Sequence, residues 1–137
     1  SVLESDGKVR VVNKELPVVA GESSVLAARA ALAAAAQGKY EALHRRLMQA
    51  KSRIDMGVIE REAAAAGLDV ARLKRDMDAP AIRKQIEDNL ALADAIGVRG
   101  TPAFVIGGKL VPGAVSEATL KTLVAQARAE QASKKVQ

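Results

Sequence analysis

Residues 97–113, GVRGTPAFVIGGKLVPG, are the stretch that most limits what this chain can fold into. A proline stands just ahead of a short apolar run at 103–106, and a glycine pair joins that run to a second one at 109–111. Two such runs separated by a glycine pair predict a β-hairpin. Because residues 23–97 read as helical, we expect helices that lead into a hairpin and one more helix that closes it. This order predicts an α+β fold with helices packed on one sheet.

The near absence of aromatic residues restricts both the core and the range of functions. The 137 residues include one Phe, one Tyr and no Trp, so the core has to be built from Leu, Ile, Val and Ala. Small side chains favour close helix packing, and the stacking platforms of most single-strand nucleic-acid readers are missing. The net charge is +5, but Lys and Arg are mixed with acidic residues along the helices. That mixture is typical of a solvated surface, and we expect no nucleic-acid partner.

The chain contains no cysteine and a single histidine, His44. This composition excludes a Cys/His zinc site and thiol catalysis by these residues alone, and we expect neither a metal nor another cofactor. No apolar run approaches the length of a membrane span, and no segment resembles a signal peptide.

Capping residues and glycines divide the helical part. Ser23 or Ser24 is predicted to cap a first helix, Asp55 and Asp69 two later ones, and Ser116 the last. The first helix is expected to bury an apolar stripe of Val25, Ala28, Leu32 and Ala35. A strand is predicted within residues 8–17, where Val9, Val11 and Val12 are β-branched and Pro17 ends the run.

The corner Gly100-Thr101-Pro102 has two interpretations. From the residues alone, Gly100 and Pro102 are ordinary loop residues that separate a helix from a strand, since a proline is tolerated where a strand begins. The alternative is a functional corner that faces a substrate.

The order of motifs resembles the DsbA-like branch of the thioredoxin fold, the exported bacterial thiol-disulfide oxidoreductases. Gly-Thr-Pro before a short strand, a Gly-Gly hairpin and Pro-Gly-Ala before a capped helix are similar to the second half of that fold. The segments VRVVNKELPVV, QGKYEALHRRLM and NLALADAIGVRGTPAFVIGG also look like this branch. The resemblance covers roughly residues 1–128. It implies one thioredoxin-like domain over 1–137, with an inserted helical subdomain at about 23–78.

The resemblance also implies a role for the corner. Thr101 would present its backbone to an extended, cysteine-containing polypeptide, Pro102 would be cis, and Gly100 would be the permissive neighbour. Glu15 is a weaker candidate, as a proton acceptor near the site. His44 is better explained as an exposed or hydrogen-bonded helical histidine, and the basic cluster Arg45, Arg46 and Lys51 as solvated surface.

The sequence departs from the family pattern at the segment that contains the catalytic cysteines. The first strand and the Cys-x-x-Cys of a thioredoxin fold are absent, and SVLESDGK resembles the end of the helix that follows them. We therefore expect a fragment that is incomplete at its N-terminus and inactive by itself. The missing strand would lie between residues 9–13 and 103–106, so strand exchange or a homo-oligomer is a further expectation.

Three functions remain open at this stage. The first is a periplasmic or otherwise exported disulfide oxidase or isomerase, working with a redox partner protein. The second is a non-catalytic peptide-binding or chaperone-like module on the same fold. The third, a basic helical nucleic-acid binder, is disfavoured by the composition.

Overall fold

The computed structural model describes residues 5–134. Its elements in chain order are α1 (Glu22–Ala35), α2 (Tyr40–Gln49), α3 (Met56–Ala65), α4 (Val70–Met77), α5 (Pro80–Ala95), β1 (Ala103–Ile106), β2 (Lys109–Pro112) and α6 (Glu117–Lys134). Two compact units are present. The helical unit is Glu15–Ala93, and the hairpin unit consists of the residues up to Lys14 together with those from Asp94 onward.

Most of the predicted helix starts are confirmed. The Asp55 and Asp69 side chains each accept a hydrogen bond from a backbone N–H three residues later, at 2.9 Å. Ser116 does the same for Thr119 at 3.1 Å. The first start was predicted wrongly, because α1 begins at Glu22 and Ser24 is already inside it. The Ser24 hydroxyl turns back and accepts a hydrogen bond from the N–H of Ala20 at 2.9 Å.

The core of the helical unit has a layer of large aliphatic residues facing a layer of alanines. Leu43, Ile59 and Leu73 come from α2, α3 and α4, and each of these side chains is fully buried. They belong to one cluster with three residues of α1, namely Ala30, Ala33 and Ala34. Methyl side chains let the backbone of α1 approach its neighbours closely, which supplies contact area in a core without aromatics.

The helix α1 also packs on a second side. Ala28 and Leu32 are buried against Ile86 of α5, with Tyr40 and Ile82 partly buried around them. The prediction that α1 buries Val25 and Ala35 together with Ala28 and Leu32 is therefore wrong at the two ends, since Val25 and Ala35 are exposed. The buried surface instead spreads across residues 30–34, because α1 has neighbours on two sides.

The predicted hairpin is confirmed. The strands β1 and β2 are antiparallel, with Phe104 opposite Val111 and Ile106 opposite Lys109. Gly107 and Gly108 form the turn with φ of 59° and 83°, and positive φ at both positions is what a type I′ hairpin turn requires. The helix α6 contacts β1, and its apolar side chains Leu120, Leu123, Val124 and Ala127 are half-buried.

The predicted strand within residues 8–17 is not present. The described residues contain one sheet, and its only strands are β1 and β2. A β-branched run forms a strand only when another backbone pairs with it, and the described structure offers no such partner to Val9–Asn13. Val11 and Val12 consequently remain more than half exposed.

An ion pair ties the start of the hairpin unit to its last helix. The Arg128 guanidinium donates to both carboxylate oxygens of Asp6, at 2.5 and 2.9 Å. Hydrogen bonding to Arg128, followed by the bond from the Lys8 N–H, holds the pKa of Asp6 below its ordinary value. The predicted helix end in SVLESDGK lies mostly outside the described residues.

Candidate functional site

The corner Gly100-Thr101-Pro102 is exposed and leads directly into β1. The peptide bond between Thr101 and Pro102 is cis, the geometry that the family resemblance implies. The carbonyl of Pro102 accepts a hydrogen bond from the N–H of Gly113 at 2.9 Å, so the hairpin ladder begins at this residue. The structure thus places Thr101 immediately outside the paired part of the hairpin.

The register of the hairpin defines which backbone groups of β1 face away from β2. In a two-residue hairpin, Ile106 and Phe104 exchange hydrogen bonds with the residues opposite them, whereas Ala103 and Val105 form the non-hydrogen-bonded pairs. The N–H and C=O groups of Ala103 and Val105 therefore point to the other edge of β1. In the described residues no strand pairs with that edge. Such an edge can add an extended polypeptide.

Gly100, expected to be the permissive neighbour of this corner, does not have a left-handed backbone. Its φ lies outside the left-handed region, which Gly97 uses instead with φ 79°. A Cβ built on Gly100 meets nothing within 4 Å. Neither its φ nor a neighbouring atom therefore requires glycine at position 100, and the left-handed residue that follows α5 is Gly97.

Glu15 lies in a separate group of polar side chains within the helical unit. One of its carboxylate oxygens, Oε1, accepts the Tyr40 hydroxyl at 2.6 Å and lies 2.8 Å from Nδ1 of His44. The rings of Tyr40 and His44 stack with centroids 5.4 Å apart. Glu15 was expected to be a proton acceptor, and the structure shows its carboxylate already holding two partners from α2.

Asn89 completes this group, and sequence reasoning missed it. Its side chain is 5% exposed and donates to the backbone carbonyl of Glu15 at 3.0 Å. A signal was available, since Asn89 follows the apolar Ile82 and Ile86 at the spacing of four and three residues that places side chains on one face of a helix. The i, i+4 spacing of Tyr40 and His44 likewise places them on one face of a helix. No pattern among neighbouring residues identified Glu15 as the common partner of Tyr40 and His44, because it lies 25 and 29 residues away from them.

Burial shifts the titration of Tyr40. Removal of the phenol from water raises its pKa above the ordinary 10.0, and the hydrogen bond and negative charge of Glu15 raise it further. Below its ordinary pKa, Tyr40 therefore contributes its full share to stability, and that share is lost as the pH rises through the higher folded-state value.

We expect Tyr40 to ionise at a higher pH than a free tyrosine. Tyr40 is the only tyrosine of the chain, so phenolate absorbance during a pH titration reports on it alone. Glu15→Ala should lower the titration midpoint only part of the way towards that of a free tyrosine, because it removes the effect of Glu15 on the pKa but not the effect of burial. A midpoint at the ordinary value in the unmodified chain would contradict the arrangement.

The remaining candidates are surface residues, as predicted. Arg45 pairs with Glu41 one turn away, and Arg46 pairs with Glu62 of α3 at 3.0 Å. Among residues 5–134, no group of His, Asp or Glu side chains is arranged to hold a metal ion.

Comparison with known proteins identifies the family. A sequence model described as DSBA-like thioredoxin domain matches residues 5–125. The chain belongs to this family. The DSBA-like domain described here therefore has a thioredoxin-like fold, with mostly helical content and a small two-stranded sheet.

Solved structures agree with the family. A thioredoxin-like oxidoreductase from Silicibacter pomeroyi DSS-3 has a TM-score of 0.88 and 44% identity, covering 93% of this chain and 73% of that one. A periplasmic thioredoxin-like protein from Salmonella enterica serovar Typhimurium has a TM-score of 0.70 and 37% identity, covering 85% and 64% of the two chains. The chain thus carries the fold of DsbA-like thiol-disulfide oxidoreductases.

The DSBA-like domain also resembles part of a much longer protein. It is 32% identical over 103 residues to a Na(+)/H(+) antiporter NhaA from Herminiimonas arsenicoxydans, covering 75% of this chain. The chain spans only 17% of that curated relative. Within residues 5–134, no helix is both long enough and apolar enough to cross a membrane.

Proposed function

We propose that this chain is the substrate-binding part of an exported bacterial thiol-disulfide oxidoreductase, a disulfide oxidase or isomerase. The observation that carries the proposal is the exposed corner at Gly100, Thr101 and Pro102, followed by a strand edge whose outward backbone groups are free in the described structure. Family membership supports the same reading. In this proposal the chain forms one thioredoxin-like domain over 1–137, with a helical insertion at about 23–78.

In the proposed reaction this chain binds the substrate, and cysteines outside it carry out the thiol-disulfide exchange. A thiolate attacks one sulfur of a disulfide, a mixed disulfide forms, and the displaced sulfur leaves as a thiolate. Full exchange oxidises one dithiol by two electrons and two protons while it reduces one disulfide. The 137 residues contain no cysteine and cannot perform either attack, so the chain by itself is inactive. The proposed catalytic pair lies in sequence beyond these residues.

The task of the chain in this scheme is to hold the polypeptide that carries the reacting sulfur. An extended segment can align with the backbone at Thr101 and continue along the outward groups of Ala103 and Val105. Main-chain hydrogen bonds of this kind accept many sequences, which suits a protein that acts on different polypeptides. The partners are thus cysteine-containing polypeptides in extended conformation and a separate protein that restores the redox state.

Two of the similar proteins support the remaining parts of the proposal. The Salmonella protein is described as periplasmic, an oxidising compartment in which disulfides persist. The protein from Silicibacter pomeroyi is described as an oxidoreductase, and it is longer than the aligned region.

A non-catalytic peptide-binding or chaperone-like module is the second candidate. The observation that favours it is the absence of cysteine from all 137 residues. The match to a short part of a Na(+)/H(+) antiporter is compatible with this module, since that protein is named for ion exchange and not for disulfide exchange. This module would bind polypeptides at the same corner without exchanging disulfides.

Blocking the corner should weaken polypeptide binding. Thr101→Arg places a long charged side chain at the exposed entrance to β1, and we expect the Kd for a labelled, extended cysteine-containing peptide to rise about tenfold. Fluorescence anisotropy measures this change. Thr122→Arg, the same substitution at an exposed position of α6, serves as the control and should leave the Kd unchanged. Equal effects of the two substitutions would contradict the assignment.

Insulin reduction by the full-length protein separates the two candidates. Turnover in the presence of dithiothreitol supports the oxidoreductase, whereas peptide binding without turnover supports the module. A complete reading frame that encodes no cysteine would overturn the first candidate directly.

A further inference from the structure

The polar group around Glu15 has no part in the proposed function, and its hydrogen bonds determine where the protons lie. The Glu15 side chain is 14% exposed and its Oε1 faces both Tyr40 and His44. An ionised carboxylate can only accept hydrogen bonds, so both partners have to donate. Below its raised pKa the phenol of Tyr40 is protonated and is therefore a donor.

The same reasoning fixes the tautomer of His44. Because Nδ1 donates to Glu15, the neutral ring carries its proton on Nδ1 and a lone pair on Nε2. Stacking against Tyr40 at an interplanar angle of 17° holds the ring plane. The side chain is 33% exposed, and no described protein group bonds to Nε2. A histidine free in water prefers the opposite tautomer, so Glu15 is the group that selects this one.

Glu15 also begins a segment in which no residue is fully buried. Residues 15–21 precede α1 without forming a helix or strand, and Val18 and Val19 are 49% and 72% exposed. Polar contacts add to the half-buried Leu16 and Pro17. Asn89 binds the Glu15 carbonyl, and the N–H groups of Val18 and Ala20 bond to Leu16 and Ser24 at 2.9 Å.

We propose that Glu15, Tyr40 and His44 form a hydrogen-bonded clasp with two consequences. The clasp anchors the segment 15–21 to the helical unit, and it locks His44 as the Nδ1–H tautomer with Nε2 as an outward hydrogen-bond acceptor. Glu15 is thereby a positioning residue for His44. All members of the clasp lie in the helical unit, and none of them belongs to the proposed binding corner.

Nuclear magnetic resonance of the 137-residue chain tests both consequences. His44 is the only histidine, so the nitrogen shifts of one imidazole report the tautomer. At a pH where the ring is neutral, we expect protonated Nδ1 in the unmodified chain and protonated Nε2 in Glu15→Ala. Loss of a hydrogen bond to a charged group should also speed amide exchange at Val18 and Ala20 by about tenfold or more.

Glu41→Ala is the matched control, because Glu41 is an exposed carboxylate on the same helix and pairs with Arg45. It should change neither the tautomer nor the exchange rates. Tyr40→Phe provides a second variant if Glu15→Ala does not fold. It should keep the tautomer and speed exchange about threefold, since one neutral donor is lost. An Nε2–H tautomer in the unmodified chain, or unchanged exchange at Val18 and Ala20 in the folded variants, would overturn the clasp.

Discussion

Leu73→Ala should lower the free energy of unfolding by about 3 kcal/mol. Leu73 is fully buried on α4 and lies in the cluster formed with Leu43, Ile59 and the alanines of α1. Removing its branched end leaves a cavity that the surrounding helices cannot readily close, since the facing side chains are already methyl groups. Alanine is a strong helix former, so the loss reflects packing and not helix propensity.

Urea unfolding followed by circular dichroism measures this effect. Leu92→Ala is the control, the same substitution on α5 at a side chain that is 44% exposed. We expect it to cost about 0.5 kcal/mol or less. Similar losses for the two variants would show that the cluster around Leu73 is not the main core of the helical unit.

Gly107→Ala should destabilise the hairpin unit by about 2–4 kcal/mol, the sum of two separate penalties. The first is backbone strain, because a non-glycine residue at φ 59° is unfavourable. The second is steric, because the new Cβ would lie 2.6 Å from the Cβ of Ala127 and 3.3 Å from its Cα. One of the two atoms belongs to the backbone of α6, so the helix itself would have to move.

Gly108→Ala separates the two penalties. Its φ of 83° imposes similar strain, but a Cβ there meets nothing within 4 Å. We expect a cost of about 1 kcal/mol, well below that of Gly107→Ala. Amide exchange at Phe104 and Ile106, which bond across to β2, reports on both variants. Equal acceleration of exchange would mean that the turn does not contact α6 as the structure shows.

Features encoded by neighbouring residues were predictable from the sequence. The hairpin followed from the Gly-Gly pair between two apolar runs, and the caps at Asp55, Asp69 and Ser116 each depend on a bond to a residue three positions away. The Thr101-Pro102 corner was located in the same way, from its position before β1. Its role in binding stays a prediction.

Features that depend on distant partners were not predictable. The run at residues 8–17 has strand composition, but a strand also needs a second backbone, which composition does not reveal. The stripe on α1 was misplaced because alanine is compatible with either face of a helix, so the alanine-rich sequence did not show that neighbours lie on two sides. Glu15 was singled out, yet its partners Tyr40 and His44 lie 25 and 29 residues away.

The alanines of α1 have a consequence for how this helix can evolve. Because Ala30, Ala33 and Ala34 are each no more than 1% exposed, the volume available at these positions is fixed by the adjacent helices. A mutational scan would find that size decides tolerance there, so that even valine or leucine is rejected although both are apolar. Natural variation at these sites should be confined to glycine, alanine and serine, and larger residues should occur only together with a compensating reduction on α2, α3 or α4.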